Sequence, residues 1–329
     1  MSVTAAAHDA VLVVRPSSLG DIVYALAITA DIRRHRPDLA IDWVVERGFA
    51  PLLGLCPDLR RVIPIALRGW RRAPLTSATW REIGAFRRNV KVDRYSAILD
   101  LQEQVKGALI ARTARGRRHG FDRASAREPI ATLAHDVHHR VPRNAHFVVR
   151  CRLLAAAALN YAIYTPPRWR IVAPPSAPAM PDRPYAVVLH ATSRAEKLWP
   201  EENWRALIAQ LSRVGLATVL PWGSADEEAR SHRLADGHAD AVVPPWLSLP
   251  DAAATLARAH VVVGIDTGFT HLAAALGTPT VALFLATDPT VHGVACTGEH
   301  ARDLGDANTV PSVDDVIAAS NSLARAAPR

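Results

Sequence analysis

The chain has 329 residues, 49% of them hydrophobic and 21% charged, with mean hydropathy near zero. That length fits two domains with full hydrophobic cores, and the composition excludes a disordered chain or a fibrous repeat. The net charge of +8 is split unevenly: residues 1–164 carry 26 Lys and Arg against 14 Asp and Glu, and residues 165–329 carry 13 against 17.

The basic half predicts an anionic partner, and nearly all its cations are Arg, whose fork fits carboxylate and phosphate. Two clusters stand out. One is Arg68, Arg71, Arg72, Arg81, Arg87, Arg88 and Lys91; the other is Arg112, Arg115, Arg117, Arg118, Arg123 and Arg127. The cysteines Cys56, Cys151 and Cys296 form no Cys-x-x-Cys pair, which argues against a zinc ribbon or a disulfide framework. No apolar run reaches the ~18 residues needed to cross a bilayer. The N-terminus lacks the basic stretch of a secretory signal. A soluble protein of a reducing compartment is expected.

In chain order, 10–15 reads as a buried strand, followed by the turn PSSLGD and a helix over 22–34. Strands are predicted at 41–46, 62–67 and 95–101, with a helix over 79–91. The Pro-rich stretch 165–184 forbids regular helix and marks a linker. Beyond it, strands at 185–191, 216–223, AVVPP, 260–266 and 278–284 alternate with helices from about Pro200 and over 225–236, 250–258 and 269–276; a helical tail follows at 312–326. Strand–helix alternation predicts parallel α/β sheets. The expected division is a first domain over 1–165, a linker over 166–184, a second domain over 185–311, and a C-terminal helix or tail over 312–329.

In doubly wound sheets ligands sit at the carboxyl ends of strands, and three such ends carry chemistry. Pro16–Asp21 opens a helix; Gly20 permits a tight turn, and Asp21 is either a helix cap or a general base. His190–Pro200 supplies hydroxyls at Thr192 and Ser193 and a cation at Lys197, suited to phosphate, against the plainer reading of a polar loop. Gly264–His271 places Asp266, Thr267, Gly268 and His271 at a helix start, which suits an anion or diphosphate; alternatively Asp266 caps the helix and His271 is structural. No P-loop, G-x-G-x-x-G, G-x-S-x-G, H-E-x-x-H or Asp-x-Asp pattern occurs.

Taken together and in order, SSLGD (17–21), IDWVVERGFA (41–50), RRVIPIALRGWRR (60–72), ARE (126–128), HATSRAEKLWPEENW (190–204), LPWGSADEEAR (220–230) and DTGFTHLAAALGTP (266–279) resemble the ADP-heptose:lipopolysaccharide heptosyltransferases, glycosyltransferase family 9. The resemblance implies a GT-B fold, two Rossmann-like doubly wound domains facing across a cleft. It implies inverting, metal-independent transfer of L-glycero-D-manno-heptose from ADP-heptose, a substrate rather than a cofactor. The implied acceptor is a Kdo residue of Kdo–lipid A, giving the first heptose of the inner core. The N-terminal domain would take the acceptor and the C-terminal domain the donor.

By position, Asp21 matches the base. Thr192, Ser193, Lys197, Trp222, Glu227 or Glu228, Leu247, Asp266, Thr267, Gly268 and His271 match the donor side. Ser18, Gly20, Arg68, Arg71, Arg72, Lys106 and Arg127 match the acceptor side. The implied location is the cytoplasmic face of the inner membrane, with peripheral contact to its anionic surface. There Trp70 either touches headgroups or packs.

The chain departs from the family pattern in two places. Glu103 stands where D-x-Q-G-L-x-K-S-like stretches have glycine, bringing a carboxylate toward the acceptor side. Leu285–Pro289 lacks the G-P of G-P-T-D-P. Another inner-core acceptor is the alternative reading. A basic nucleic-acid-binding protein is a further one, with no recognition motif behind it; the main reading expects no nucleic acid.

Overall fold

The computed structural model describes residues 9–176, 180–192 and 194–326. The chain divides into two compact units, Met1–Arg170 and Ile171–Arg329, so the division falls inside the Pro-rich stretch.

The first unit runs β1 (Ala10–Val14), α1 (Leu19–His35), β2 (Ala40–Glu46), α2 (Ala50–Leu53), β3 (Leu59–Ile65), α3 (Leu67–Arg72), α4 (Ser77–Val90), β4 (Arg94–Asp100), α5 (Val105–Ala111), β5 (Arg115–Phe121), β6 (Val137–His139) and α6 (Phe147–Leu159). The second runs β7 (Tyr185–Leu189), α7 (Glu201–Arg213), β8 (Ala217–Val219), α8 (Ala225–Ala235), β9 (Ala241–Val242), α9 (Leu249–Ala257), β10 (Val261–Ile265), α10 (Gly268–Ala275), β11 (Thr280–Leu283), α11 (Pro289–His292), β12 (Ala301–Leu304) and α12 (Val313–Ala326).

Both sheets are parallel and six-stranded. Their orders are β3-β2-β1-β4-β5-β6 and β12-β11-β10-β7-β8-β9. Reading the second sheet from its β9 edge gives the same winding, so the two units repeat one topology that their sequences do not display. In each, the order reverses between the first and fourth strands, β1 and β4 in one unit and β7 and β10 in the other. The crevice outside the carboxyl ends at such a switch point is where doubly wound sheets take ligands. The register there pairs Val14 with Asp100 and Leu189 with Gly264.

The central strands are apolar throughout because helices cover both faces; β1, β7 and β10 are buried along their whole length. Leu12, Val14, Val44, Ile63, Phe86 and Ile98 form one core in the first unit. In the second, Trp199 and Trp204 meet edge to face at 4.8 Å beside Leu207, Val263 and Val281, and α12 contributes Val316 and Leu323. An ion pair between Arg152 Nε and Asp31 Oδ2, 2.7 Å long and nearly out of solvent, ties α6 to α1.

The second arginine cluster proves to be partly a strand. Arg115 and Arg117 of β5 point outward while His119, Gly120 and Phe121 are buried, so the period-2 signal lies under the charge. Arg118 of that strand is not a free cation: its Nη2 sits 2.5 Å from Asp136 Oδ1. Trp70 packs rather than projecting toward headgroups. Its ring lies edge-on to Phe86 at 6.0 Å, and its Nε1 donates to Glu82 Oε2 at 2.9 Å.

Candidate functional site

At the switch point of the first unit, β1 runs into Arg15 and the turn before α1. Ser18 is the helix N-cap. Asp21, three residues on, accepts from its backbone N–H at 2.9 Å and its hydroxyl at 3.0 Å, one half of a capping box. Asp21 is therefore a cap, but one with an additional partner. Arg15, only 3% exposed, brings Nη2 to 2.9 Å from the same Oδ2. Its Nη1 donates to the Leu101 carbonyl, and its guanidinium lies 4.7 Å over the Phe147 ring. All three contacts to Asp21 converge on Oδ2, and its side chain stays 30% exposed. Burial works to raise the Asp21 pKa, but the Arg15 charge and the Ser18 donors outweigh it, so the carboxylate sits below its ordinary range. Such a group is ionised at neutral pH and can receive a proton from a hydroxyl held against it.

Gly20 is the second residue of α1. Lys106, near the start of α5, donates from Nζ to Ser17 Oγ at 3.0 Å. Burial first, and then the neighbouring cations Arg15, Arg71 and Arg68, hold its ammonium below the usual value against the pull of Asp21. Lys106, Asp21, Arg68 and Arg71 thus share one electrostatic neighbourhood. Arg71 and Arg72 are exposed in the last turn of α3; Arg68 is exposed in its first, with its guanidinium 5.9 Å over Phe49. Arg127 is exposed on the loop after β5.

Glu103 corrects an expectation. Its side chain is 7% exposed, and Oε2 pairs with the buried Arg150 Nη2 at 2.7 Å while Oε1 is buried without a hydrogen-bond partner, so the carboxylate is withdrawn from solvent and turned to Arg150. Its φ of 60° lies in the left-handed region, where glycine is strain-free, and this is the physical reason a glycine suits the position. Behind it, Asp100 at the end of β4 accepts from Gln102 N at 2.9 Å and from His135 Nε2 at 2.9 Å.

At the switch point of the second unit, Asp266 follows β10 and accepts three hydrogen bonds. Lys197 Nζ lies 2.5 Å from Oδ2, Thr287 Oγ1 donates to Oδ2 at 2.7 Å, and His271 Nε2 donates to Oδ1 at 3.0 Å. Burial opposes the charge of Asp266, but His271, Lys197 and Thr287 outweigh it and hold the carboxyl far below its usual range. Asp266 does not cap α10; Thr267 occupies that position, and the Thr270 hydroxyl returns to the Ile265 carbonyl at 2.6 Å. The residues of 190–200 and 264–271 that the sequence singles out therefore meet in one charged network. Thr192 accepts from Arg194 N at 3.4 Å, while Ser193 lies outside the described residues. Gly268 is the first residue of α10, where helix N–H groups are free for an anion.

Beside this network a pocket within the second unit is lined by His190, Trp222, Glu227, Leu247, Thr267 and Phe269, among others. Trp222 is anchored by its Nε1 donating to the Pro244 carbonyl at 2.8 Å, and Glu227 accepts from Gly223 N at 2.7 Å. Of the two carboxylates that the sequence leaves open, Glu227 lines this pocket and Glu228 does not. Among the described residues, no group of three or more His, Cys, Asp or Glu is arranged to hold a metal ion.

Sequence reasoning missed Arg15, Phe147, Thr287 and the buried His190–Ser231 hydrogen bond of 2.8 Å. Arg15 carried a signal, a cation directly after a buried strand. Thr287 carried a weaker one, as the Thr of the G-P-T-D-P-like stretch 285–289, but only the fold brings the β11–α11 loop to Asp266.

The sequence signature described as glycosyltransferase family 9 (heptosyltransferase) matches residues 83–309. Lipopolysaccharide heptosyltransferase 1 of Salmonella typhimurium is 42% identical over 287 residues, 86% of this chain and 90% of that protein. Its namesake in Pseudomonas aeruginosa is 40% identical over 289 residues, 85% of this chain and 79% of that protein. The solved structure of E. coli heptosyltransferase WaaC with ADP superposes with a TM-score of 0.88 at 37% identity, over 95% of this chain and 99% of that one. E. coli heptosyltransferase II, at 20% identity and TM-score 0.76, shares the fold. On signature, identity and the two-unit GT-B architecture alike, this chain belongs to glycosyltransferase family 9, the heptosyltransferases.

Proposed function

We propose that the protein transfers L-glycero-D-manno-heptose from ADP-heptose to a Kdo residue of Kdo–lipid A, with inversion and without a metal ion. The observation that carries the reading is the Arg15–Asp21–Ser18 arrangement at one switch point, in a chain 42% identical to lipopolysaccharide heptosyltransferase 1 of Salmonella. Asp21 takes the proton of the acceptor hydroxyl as that oxygen attacks the anomeric carbon; the C–O bond to ADP breaks and the diphosphate leaves with the electron pair. One displacement needs one base, and inversion follows from it.

On the donor side, Lys197 and the N–H groups at the start of α10, with Thr192, Thr267, Gly268 and His271, receive the diphosphate, and Lys197 offsets the charge that grows on the leaving oxygen. Asp266 holds Lys197 and His271 in position. Trp222 and Leu247 border the adenine, and Glu227 receives the ribose hydroxyls. Support comes from the solved relatives, E. coli heptosyltransferase WaaC with ADP and with ADP-2-deoxy-2-fluoro heptose, the latter at TM-score 0.84. Ser18, Gly20, Arg68, Arg71, Arg72, Lys106 and Arg127 receive the carboxylates and phosphates of the acceptor. The place of work is the cytoplasmic face of the inner membrane.

The test is a transferase assay with ADP-L-glycero-D-manno-heptose and de-acylated Kdo–lipid A, with and without EDTA, beside Asp21→Ala. Expected are ADP release with heptosylated product, indifference to EDTA, and a loss of about 10²–10⁴-fold in kcat for the variant. Turnover by Asp21→Ala at the wild-type rate sinks the base assignment. Loss of turnover in EDTA sinks metal independence. Donor binding without transfer moves the acceptor to another inner-core sugar.

A further inference from the structure

Asp100 has no part in the chemistry above, yet it sits at the switch point of the first unit, paired with Val14 at the end of β1. Its side chain is wholly out of solvent. Oδ2 accepts from His135 Nε2 at 2.9 Å, and Oδ1 from Gln102 N at 2.9 Å. His135 closes the short 3-10 turn Pro129–Ala134 that precedes β6. Its side chain is 3% exposed, and its Nδ1 is buried without a hydrogen-bond partner, so Asp100 is the ring's hydrogen-bonding partner. Two glycines leave room for the pair: a Cβ on Gly120 would strike the His135 ring, and one on Gly107 would strike Asp100 Oδ1. The same segment braces the far end of the β4–α5 loop, where the Glu128 carboxylate accepts from Val105 N at 2.8 Å.

A buried, paired carboxylate is a poor source of stability compared with an apolar side chain of its volume. Asp100 instead sets the path of the chain. By holding Gln102 N it turns the backbone at Leu101 and Gln102, and both of these residues reach back to the loop that carries Asp21. The Leu101 carbonyl accepts from Arg15 Nη1, and Arg15 Nη2 holds Asp21. Gln102 Oε1 accepts from Ser17 N at 3.4 Å, and Ser17 Oγ accepts from Lys106 Nζ at 3.0 Å. We propose that Asp100, locked by His135, is a positioning residue for Asp21: the pair fixes the turn at 101–102, and the turn fixes Arg15 and Ser17. The second unit repeats the device after its own fourth strand. There Asp266 is locked by His271 and holds Lys197 directly. The effect on transfer rests on the proposed function, with Asp21 as base; the bracing of the loop does not.

The test compares wild type with His135→Phe, which keeps a ring and removes the donor, and with His135→Gln, whose amide puts a donor near the place of Nε2. Expected for His135→Phe is a kcat about tenfold lower with the KM for ADP-heptose unchanged, since misplacing a base costs rate and not donor binding. His135→Gln should stay within about twofold of wild type. Asp100→Asn, which keeps the shape and replaces an acceptor by a donor, should act like His135→Phe and serves where that variant does not fold. In an Arg15→Ala background His135→Phe should lose most of its effect, because both act on the same carboxylate. Amide exchange over 15–22 should quicken about tenfold in His135→Phe and stay at the wild-type rate in β7 and β10. A kcat unchanged in folded His135→Phe and Asp100→Asn overturns the proposal, as does an equal loss in His135→Gln. The exchange measurement needs no substrate. If the wild type transfers no heptose, the transferase reading falls, while quickened exchange over 15–22 upholds the bracing and unchanged exchange overturns it.

Discussion

In the proposed mechanism Asp21 is both a helix cap and a base, and its structural contacts fall on one oxygen. Oδ2 carries the cap and the Arg15 pair. Arg15 is a positioning residue in this scheme, buried and fixed at its far side by the Leu101 carbonyl and the Phe147 ring. Removing its charge takes away the largest influence that opposes burial, so the Asp21 pKa rises, with the Ser18 donors still holding it down in part. Arg15→Ala should therefore move the acid limb of the kcat/KM profile to higher pH and cost on the order of tenfold at neutral pH through misplacement of the carboxylate. Arg15→Lys should return the limb toward the wild-type position. A pH–rate series on the three proteins checks this; an acid limb unmoved in Arg15→Ala means that Asp21 is not the titrating base.

At the scale of elements, the loop between β4 and α5 shows how one residue changes meaning with its surroundings. Glu103 reads from sequence as an extra carboxylate near the acceptor, yet its partner, Arg150, lies 47 positions away on α6. Two effects compete there. Left-handed backbone at a non-glycine residue costs ~1–2 kcal/mol, while breaking a buried ion pair costs ~3–5 kcal/mol because a charge is left unpaired. The second is larger, so Glu103→Gly should lose about 2 kcal/mol in urea unfolding at neutral pH. Adding Arg150→Met should recover most of that loss, with the KM for acceptor unchanged. A shifted acceptor KM in a Glu103→Gly protein of wild-type stability would restore the reading of Glu103 as an acceptor residue. Strand β5 teaches the same lesson: a charge run read only as a cluster was an edge-side strand segment whose buried half is short.

At the scale of the molecule, each unit buries a histidine whose protonation burial opposes. Burial and the neighbouring Arg230 push His190 down to about 4, and burial and His139 do the same to His119. The unfolded chain titrates near 6.5, so below that pH it binds protons that the native chain refuses, and stability falls with pH. Acidifying to about pH 5 should cost ~2 kcal/mol per histidine, within a factor of two. Urea midpoints measured between neutral pH and pH 5 check this. His190→Gln should flatten the part of the slope belonging to the second unit, and an unchanged slope in that variant would mean that His190 is protonated in the native state.

Hydrophobic runs bounded by Pro, Gly and polar turns were enough to read most strands and helices, the parallel α/β class and the position of the three candidate loops at strand ends. These are local properties, set by backbone sterics and by which stretches must be buried on both faces. The motif order was enough to read the family. What only the tertiary structure decided is which charges meet. Asp21 with Arg15, Asp266 with Lys197, His271 and Thr287, and Glu103 with Arg150 become partners through strand order and helix packing; a charge–charge interaction depends on distance in space and on exclusion of water, and separation along the chain encodes neither.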